Sequence, residues 1–219
     1  MMRELRFGRK GVARGKARSL IVFLHGYGAD GADLLGLADV LAPHLPDAAF
    51  VAPDAPDRCI GGGFGYQWFP IPWLDGSSEE AAEAGMARSV KDLNAFLDER
   101  LAEEGLTADR MVLVGFSQGA MMSLHVAPRR DQAVAGVVAI SGRLLRPEAL
   151  AEETRVRPPV LLIHGDQDAV VPFGDMARAG DALVAAGFRT YGHVMQGTGH
   201  GIAPDGLGAA LQFIRQVLG

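Results

Sequence analysis

Six short runs along this chain of 219 residues are dominated by apolar side chains: SLIVFL (19–24), AAFVAP (48–53), RMVLV (110–114), AVAGVVAI (133–140), PVLLIH (159–164) and RTYGHVM (189–195). They are short, rich in Val, Ile, Leu and Phe, and lack regular polar alternation. Each reads as a strand covered on both faces, as in a parallel sheet. Between them the apolar spacing changes to three and four. Ser78 followed by Glu79 and Glu80 has the form of an N-cap with an acidic first turn. Met86, Val90, Leu93, Leu97 and Leu101 then recur along one face, and Gly105 stands where a glycine ends a helix. Further helices are predicted over 118–127, stopped by Pro128, over 175–186, ended by Gly187, and over 207–218. Strand and helix alternate, so the expected architecture is α/β, a mostly parallel sheet with helices on both faces. No repeat, long linker or lid-sized insertion interrupts it, and residues 1–219 are expected to form a single domain.

Charge modifies this picture at one end. Residues 1–18 carry Arg3, Arg6, Arg9, Lys10, Arg14, Lys16 and Arg18 against Glu4 alone. The overall net charge of −5 therefore hides a body with 14 basic against 25 acidic residues, a net −11. The apolar run that follows, LIVFL, is too short for a signal sequence or a membrane span. An acidic body would repel phosphates, which argues against a nucleic-acid partner. The basic segment is expected to be a solvated edge strand or arm. The single Cys59 excludes an internal disulfide, and a cytoplasmic setting is expected.

Candidate chemistry begins at MVLVGFSQGA (111–120), where Ser117 sits between two glycines at the change from strand to helix pattern. Gly-x-Ser-x-Gly in that context is a nucleophile elbow: the serine takes a strained turn at the carboxyl end of a strand, and side chains at 115 or 119 would collide with adjacent backbone. Ligands of such sheets collect at that end. A serine needs a base, and the base an orienting acid, supplied in this architecture from later loops in the order acid, then histidine. Gly165-Asp166-Gln167-Asp168 and Gly197-Thr198-Gly199-His200 fall in those loops. His25, His44, His125 and His164 come too early in the chain, and His193 lies within a predicted strand, so His200 is the expected base. Asp168 is preferred to Asp166 as the acid, since it stands one step further into its loop and Asp166 can stiffen the turn. His164, Asp166 and Asp168 also spell a metal-binding H-x-D-x-D string, but no further ligands cluster beside it, and neither metal nor cofactor is expected. For the oxyanion, backbone N–H groups of Gln118 and of Tyr27, in LHGYGADG (24–31), are the expected donors; the plain alternative for the latter is a glycine-rich turn.

LHGYGADG, FVAPDAP, QWF, GFSQGAMMSLHVA, HGDQDAVVP and GTGHGI, spread from 24 to 202, together resemble the phospholipase/carboxylesterase family of α/β-hydrolases, which includes acyl-protein thioesterases. The resemblance implies a serine esterase with Ser117 as nucleophile, Asp168 as orienting acid and His200 as base, and with Tyr27 and Gln118 in the oxyanion hole. It also makes Trp68 and Phe69, in the aromatic loop 59–78, part of the substrate wall; the alternative is that they anchor that loop in the core. Where the family often carries leucine after His-Gly, this chain has Tyr27, whose larger ring would narrow the acyl pocket. With no lid, the cleft favours a small or medium acyl ester. A thioester on a protein, or a lysophospholipid, is the alternative within enzymes, and a catalytically silent binding scaffold the alternative outside them. A homodimer is left open.

Overall fold

The computed structural model describes residues 3–60 and 64–219. In chain order its strands are β1 (Phe7–Gly11), β2 (Ser19–Leu24), β3 (Ala48–Pro53), β4 (Asp57–Arg58), β5 (Tyr66–Gln67), β6 (Met111–Phe116), β7 (Gly136–Ile140), β8 (Val160–Gly165) and β9 (Thr190–Met195). Its α-helices are α1 (Gly31–Leu35), α2 (Leu37–Leu41), α3 (Pro72–Asp75), α4 (Glu79–Glu104), α5 (Gln118–Val126), α6 (Leu150–Glu153), α7 (Gly174–Ala185) and α8 (Pro204–Leu218). Seven strands form one sheet in the order β1-β3-β2-β6-β7-β8-β9, parallel throughout except for β1; β4 and β5 pair as a separate antiparallel ribbon.

The two-sided apolar runs divide by alternate residues. Leu20, Val22 and Leu24 of β2, Leu113 of β6, Ala139 of β7 and Leu162 of β8 face a core closed by Leu93, Phe96 and Leu97 of α4, Met122 of α5 and Leu183 of α7. Ile21, Phe23, Val114, Val138 and Ile163 face the other core, closed by Leu34 and Leu35 of α1, Leu41 of α2 and Phe213 and Ile214 of α8. Both faces of the sheet are thus dry, as the lack of polar alternation requires.

Several boundaries move. β7 begins at Gly136 rather than 133, and β6 runs on to Phe116, while α8 begins three residues before the expected start, on Pro204. β9 is an edge strand with most of its residues partly or fully exposed, so its apolar run was not the two-sided kind. The long helix has the expected ends: the Ser78 side chain accepts from the Ala81 N–H at 3.1 Å, and Gly105 is left-handed at φ 68°. The short elements α1, α2, α3, α6, β4 and β5 carry too few residues to show a period.

The basic amino-terminal segment contains an edge strand, as expected, and it is solvated only in part: Arg6, Arg14, Lys16 and Arg18 are exposed. β1 runs antiparallel to β3, and three cations of the segment pair with the acidic body: Arg3 with Asp57 and Asp92, Arg9 with Glu104 at 2.7 Å, and Lys10 with Asp39 at 2.7 Å. Glu104 is nearly enclosed, so the Arg9 pair is screened far less than the exposed Lys10 pair. We expect Arg9→Ala, which strands a buried carboxylate, to cost about 3 kcal/mol in urea unfolding, and Lys10→Ala to cost less than about 1 kcal/mol.

Candidate active site

Register fixes where the strands stop. Leu24 pairs with Gly115, Phe116 with Ile140, and Gly165 with Met195, so the loops after β2, β6, β8 and β9 leave the sheet at one rim. Ser117 follows β6 directly at φ 53°, ψ −116°, a conformation that costs on the order of 1–3 kcal/mol for a residue other than glycine. Its neighbours are held by close backbone contact. A Cβ on Gly119 would lie 1.9 Å from the Leu24 carbonyl oxygen, and one on Gly115 would lie 2.3 Å from that of Gly119. The Ser117 N–H donates to the Ile140 carbonyl at 2.9 Å, which ties the turn to β7 as well.

The two later loops meet beside it. His200 donates from Nδ1 to Asp168 Oδ2 at 2.7 Å, and Asp168 Oδ1 accepts the Val170 and Val171 N–H groups, each at 2.9 Å. Burial pushes the Asp168 carboxyl up, but the hydrogen bonds from His200, Val171 and Val170 outweigh it and hold the group below its usual range. A carboxylate depressed in this way contributes stability above its ordinary unfolded value and loses that contribution as pH falls through the folded value. The two aspartates have different partners: Asp166 accepts the Gly197 N–H at 2.7 Å, and the Gln167 N–H donates to the Thr198 carbonyl at 3.0 Å, so this stretch staples the loop after β8 to the loop after β9. Asp166 and Asp168 therefore face different partners and do not close on one metal site.

The His200 ring packs on Phe116, centroids 4.9 Å apart, next to the serine. Among the described residues no hydrogen bond engages the Ser117 hydroxyl, so the third link of the expected set is a juxtaposition and not a bond in this structure. Gly26 comes close from the other side: a Cβ there would lie 3.2 Å from Ser117 Cβ. Neither the Tyr27 nor the Gln118 N–H donates to a backbone carbonyl among the described residues. Both remain available, one on each side of the serine.

His25, set aside for its position in the chain, holds this loop. Its Nδ1 donates to the Gly26 carbonyl at 2.7 Å and its Nε2 accepts the Ala55 N–H at 2.9 Å, which fixes one tautomer. Burial lowers its pKa, so the ring stays neutral. His193 does lie in β9, yet it is half-exposed and meets Asp205 at 2.8 Å. The Tyr27 phenol is pushed up to about 12, first by burial and then by Cys59 and the Asp75 carboxylate beside it.

Trp68 and Phe69 require a correction. Trp68 is 0% exposed; its indole N–H donates to the His25 carbonyl at 3.0 Å and its own carbonyl accepts the Ser89 hydroxyl. The Gln118 side chain grips the same segment, accepting the Trp68 N–H at 2.8 Å and donating to the Phe69 carbonyl at 2.7 Å. Phe69 keeps only 9% exposure. These rings anchor the loop; they have almost no surface to offer a ligand. The aromatic surface of that loop belongs instead to Phe64, 97% exposed, and Trp73, 72% exposed. Residues 61–63 of the same loop lie outside the described residues. Spacing alone has no means of separating these rings, because burial here is decided by a glutamine fifty residues away. A cavity of about 750 Å³, lined by Arg18, His44, Arg110 and Arg215 among others, opens at the opposite, amino-terminal ends of the strands and is remote from this chemistry.

A parallel sheet with an acid–histidine pair and a strained serine at its carboxyl rim is the arrangement of an α/β-hydrolase, and comparison with known proteins gives the same class. Residues 12–218 match the family model described as Phospholipase/Carboxylesterase. The crystal structure of esterase PE8 superposes with a TM-score of 0.91 at 42% identity, covering 98% of this chain and 99% of that one. Acyl-protein thioesterase 1 of Saccharomyces cerevisiae is 30% identical over 92% of this chain and 94% of its own. Esterase YpfH of Escherichia coli is 26% identical over 92% and 84%. The chain belongs to the phospholipase/carboxylesterase family and is a carboxylic ester hydrolase of the α/β-hydrolase fold.

If Trp68 anchors the loop, its loss will be read first in stability. Trp68→Ala should cost about 3–5 kcal/mol in chemical denaturation, whereas a substrate-wall residue would raise KM at near-normal stability.

Proposed function

We propose that this enzyme hydrolyses small to medium acyl esters through an acyl-enzyme on Ser117. The observation that carries the reading is the 2.7 Å hydrogen bond from His200 Nδ1 to Asp168 Oδ2, made beside the serine turn. With its Nδ1 proton committed to Asp168, the His200 ring presents Nε2 as the proton acceptor, as a general base must. Ser117 Oγ attacks the acyl carbon as its proton passes to His200. The carbonyl oxygen takes up negative charge opposite the Tyr27 and Gln118 N–H groups, near the positive end of α5. His200 then gives the proton to the departing alcohol, and water, activated by the same ring, releases the acid and restores the serine.

A thioester held on a protein is the second reading, favoured by the name of the yeast relative, acyl-protein thioesterase 1, and by two exposed aromatic rings, Phe64 between β4 and β5 and Trp73 in α3. Only the leaving group differs, and the same three side chains serve it. A reducing, cytoplasmic setting fits the single, buried Cys59. Among the described residues no helix is long and apolar enough to cross a membrane.

A fluorophosphonate probe should label the protein stoichiometrically, and Ser117→Ala should abolish labelling; a silent binding scaffold would not react at all. On p-nitrophenyl acetate, His200→Ala and Asp168→Asn should lower kcat by about ten-thousandfold. Asp166→Asn, which loosens a staple and leaves the acid in place, should lose much less. A collapse of Asp166→Asn with a normal Asp168→Asn would reverse the assignment of the acid. Rates across matched esters and thioesters of increasing acyl length separate the two substrate readings, an ester preference at short chains supporting the first.

A further inference from the structure

The function above leaves His164 unused, although it stands at the end of β8 four residues before the acid. It is 1% exposed, and its Nε2 lies 2.9 Å from the Val171 carbonyl oxygen. A carbonyl only accepts, so Nε2 carries a proton. That same Nε2 is 3.3 Å from Asp168 Oδ2, the oxygen that receives His200. His200 donates to Oδ2 and the Val170 and Val171 N–H groups to Oδ1, while the His164 N–H, bonded to the Val171 carbonyl, stands next to Oδ2 as a nearby dipole. The Phe173 ring packs edge-on against His164, centroids 6.1 Å apart, and restricts its rotation.

We propose that His164 is a positioning residue for the reaction: its Nε2–H, bonded to the Val171 carbonyl and 3.3 Å from Asp168 Oδ2, locks the 168–171 turn and so aims the carboxylate at His200. The inference rests on the reading of Asp168 as orienting acid. A histidine kept for packing alone would need one acceptor. Here the N–H lies between both ends of the turn whose amides hold the carboxylate, and the oxygen it approaches is the one the base uses. An apolar side chain of similar size would fill the space but leave the Val171 carbonyl buried without its donor and Oδ2 without the nearby dipole. The carboxylate would then be free to swing off the line to His200 Nδ1, and misplacement on that scale is costly to the chemical step even when substrate binding is intact.

The test compares His164→Leu with His164→Gln in matched thermal melts, alongside Asp168→Asn. His164→Leu should lower kcat by about tenfold to a hundredfold with KM unchanged. Gln carries an amide N–H at a similar reach, and His164→Gln should recover most of that loss. Wild-type kcat in His164→Leu, a change confined to KM, or equal losses in the Leu and Gln variants would each overturn the proposal. Should either variant fail to fold, nitrogen-15 histidine spectra of the wild-type protein decide: His164 must carry a proton on Nε2, and the Nδ1–H tautomer refutes the arrangement. Asp168→Asn separates the two failures. A slow Asp168→Asn beside a normal His164→Leu removes only the role of His164, whereas a normal Asp168→Asn removes both readings.

Discussion

The active-site rim depends on backbone packing against backbone at the end of β6. The first turn of α5 sits so close to the end of β2 that position 119 has no room for a single carbon beyond Cα. That contact forces the chain to reverse within the residues between strand and helix, and Ser117 is left at φ 53° as the consequence. The strain is supported from three sides: the β2 carbonyls, the Ile140 carbonyl that takes the serine N–H, and the Gln118 side chain buried under the aromatic loop. A serine hydroxyl is thereby presented at the rim without the flexibility of an ordinary surface loop. Preorganisation of this kind lowers a barrier because no reorganisation remains to be done when charge develops.

The acid and the base are organised differently. Their loops share one close backbone contact, where a Cβ on Gly165 would lie 2.2 Å from the Thr198 carbonyl oxygen, and are otherwise joined by polar contacts, Asp166 to the Gly197 N–H, Gln167 N–H to Thr198, and Asp168 to His200. The rim thus combines a serine turn held by backbone packing with a pair of loops held by one such contact at Gly165 and by hydrogen bonds. Polar networks inside a protein either are fully satisfied or become its weakest part. The carboxylate of Asp168, nearly enclosed and ringed by donors, is the satisfied case.

Some histidines first read as bystanders belong to this second layer. His25 bridges the loop after β2 to Ala55, and its backbone carbonyl takes the indole of Trp68. His164 faces the acid from below. Chain order was the reason for setting both aside as the base, and that reason stands. It says nothing about which side chains support the site, because support is a matter of proximity across strands and loops.

The arrangement of strands and helices, the tight turn at Ser117, and the meeting of the loops after β8 and β9 were legible in the sequence, because apolar runs without alternation, capping residues and glycines flanking a serine are local signals. Asp168 against Asp166 was legible only as a preference. The fold adds the partners, His200 at Asp168 and the Gly197 N–H at Asp166. The aromatic loop was not legible at all, since Trp68 and Phe64 stand four residues apart in the same apolar company and end at 0% and 97% exposure. The basic amino terminus met the same limit. Its charge was visible from the start, but the acids that pair with Arg3, Arg9 and Lys10, namely Asp39, Asp57, Asp92 and Glu104, are distant in sequence and adjacent only after the sheet and α4 have packed. Periodicity and capping report what a residue does with its near neighbours in the chain; burial and pairing are set by distant ones, which only the tertiary structure brings into reach.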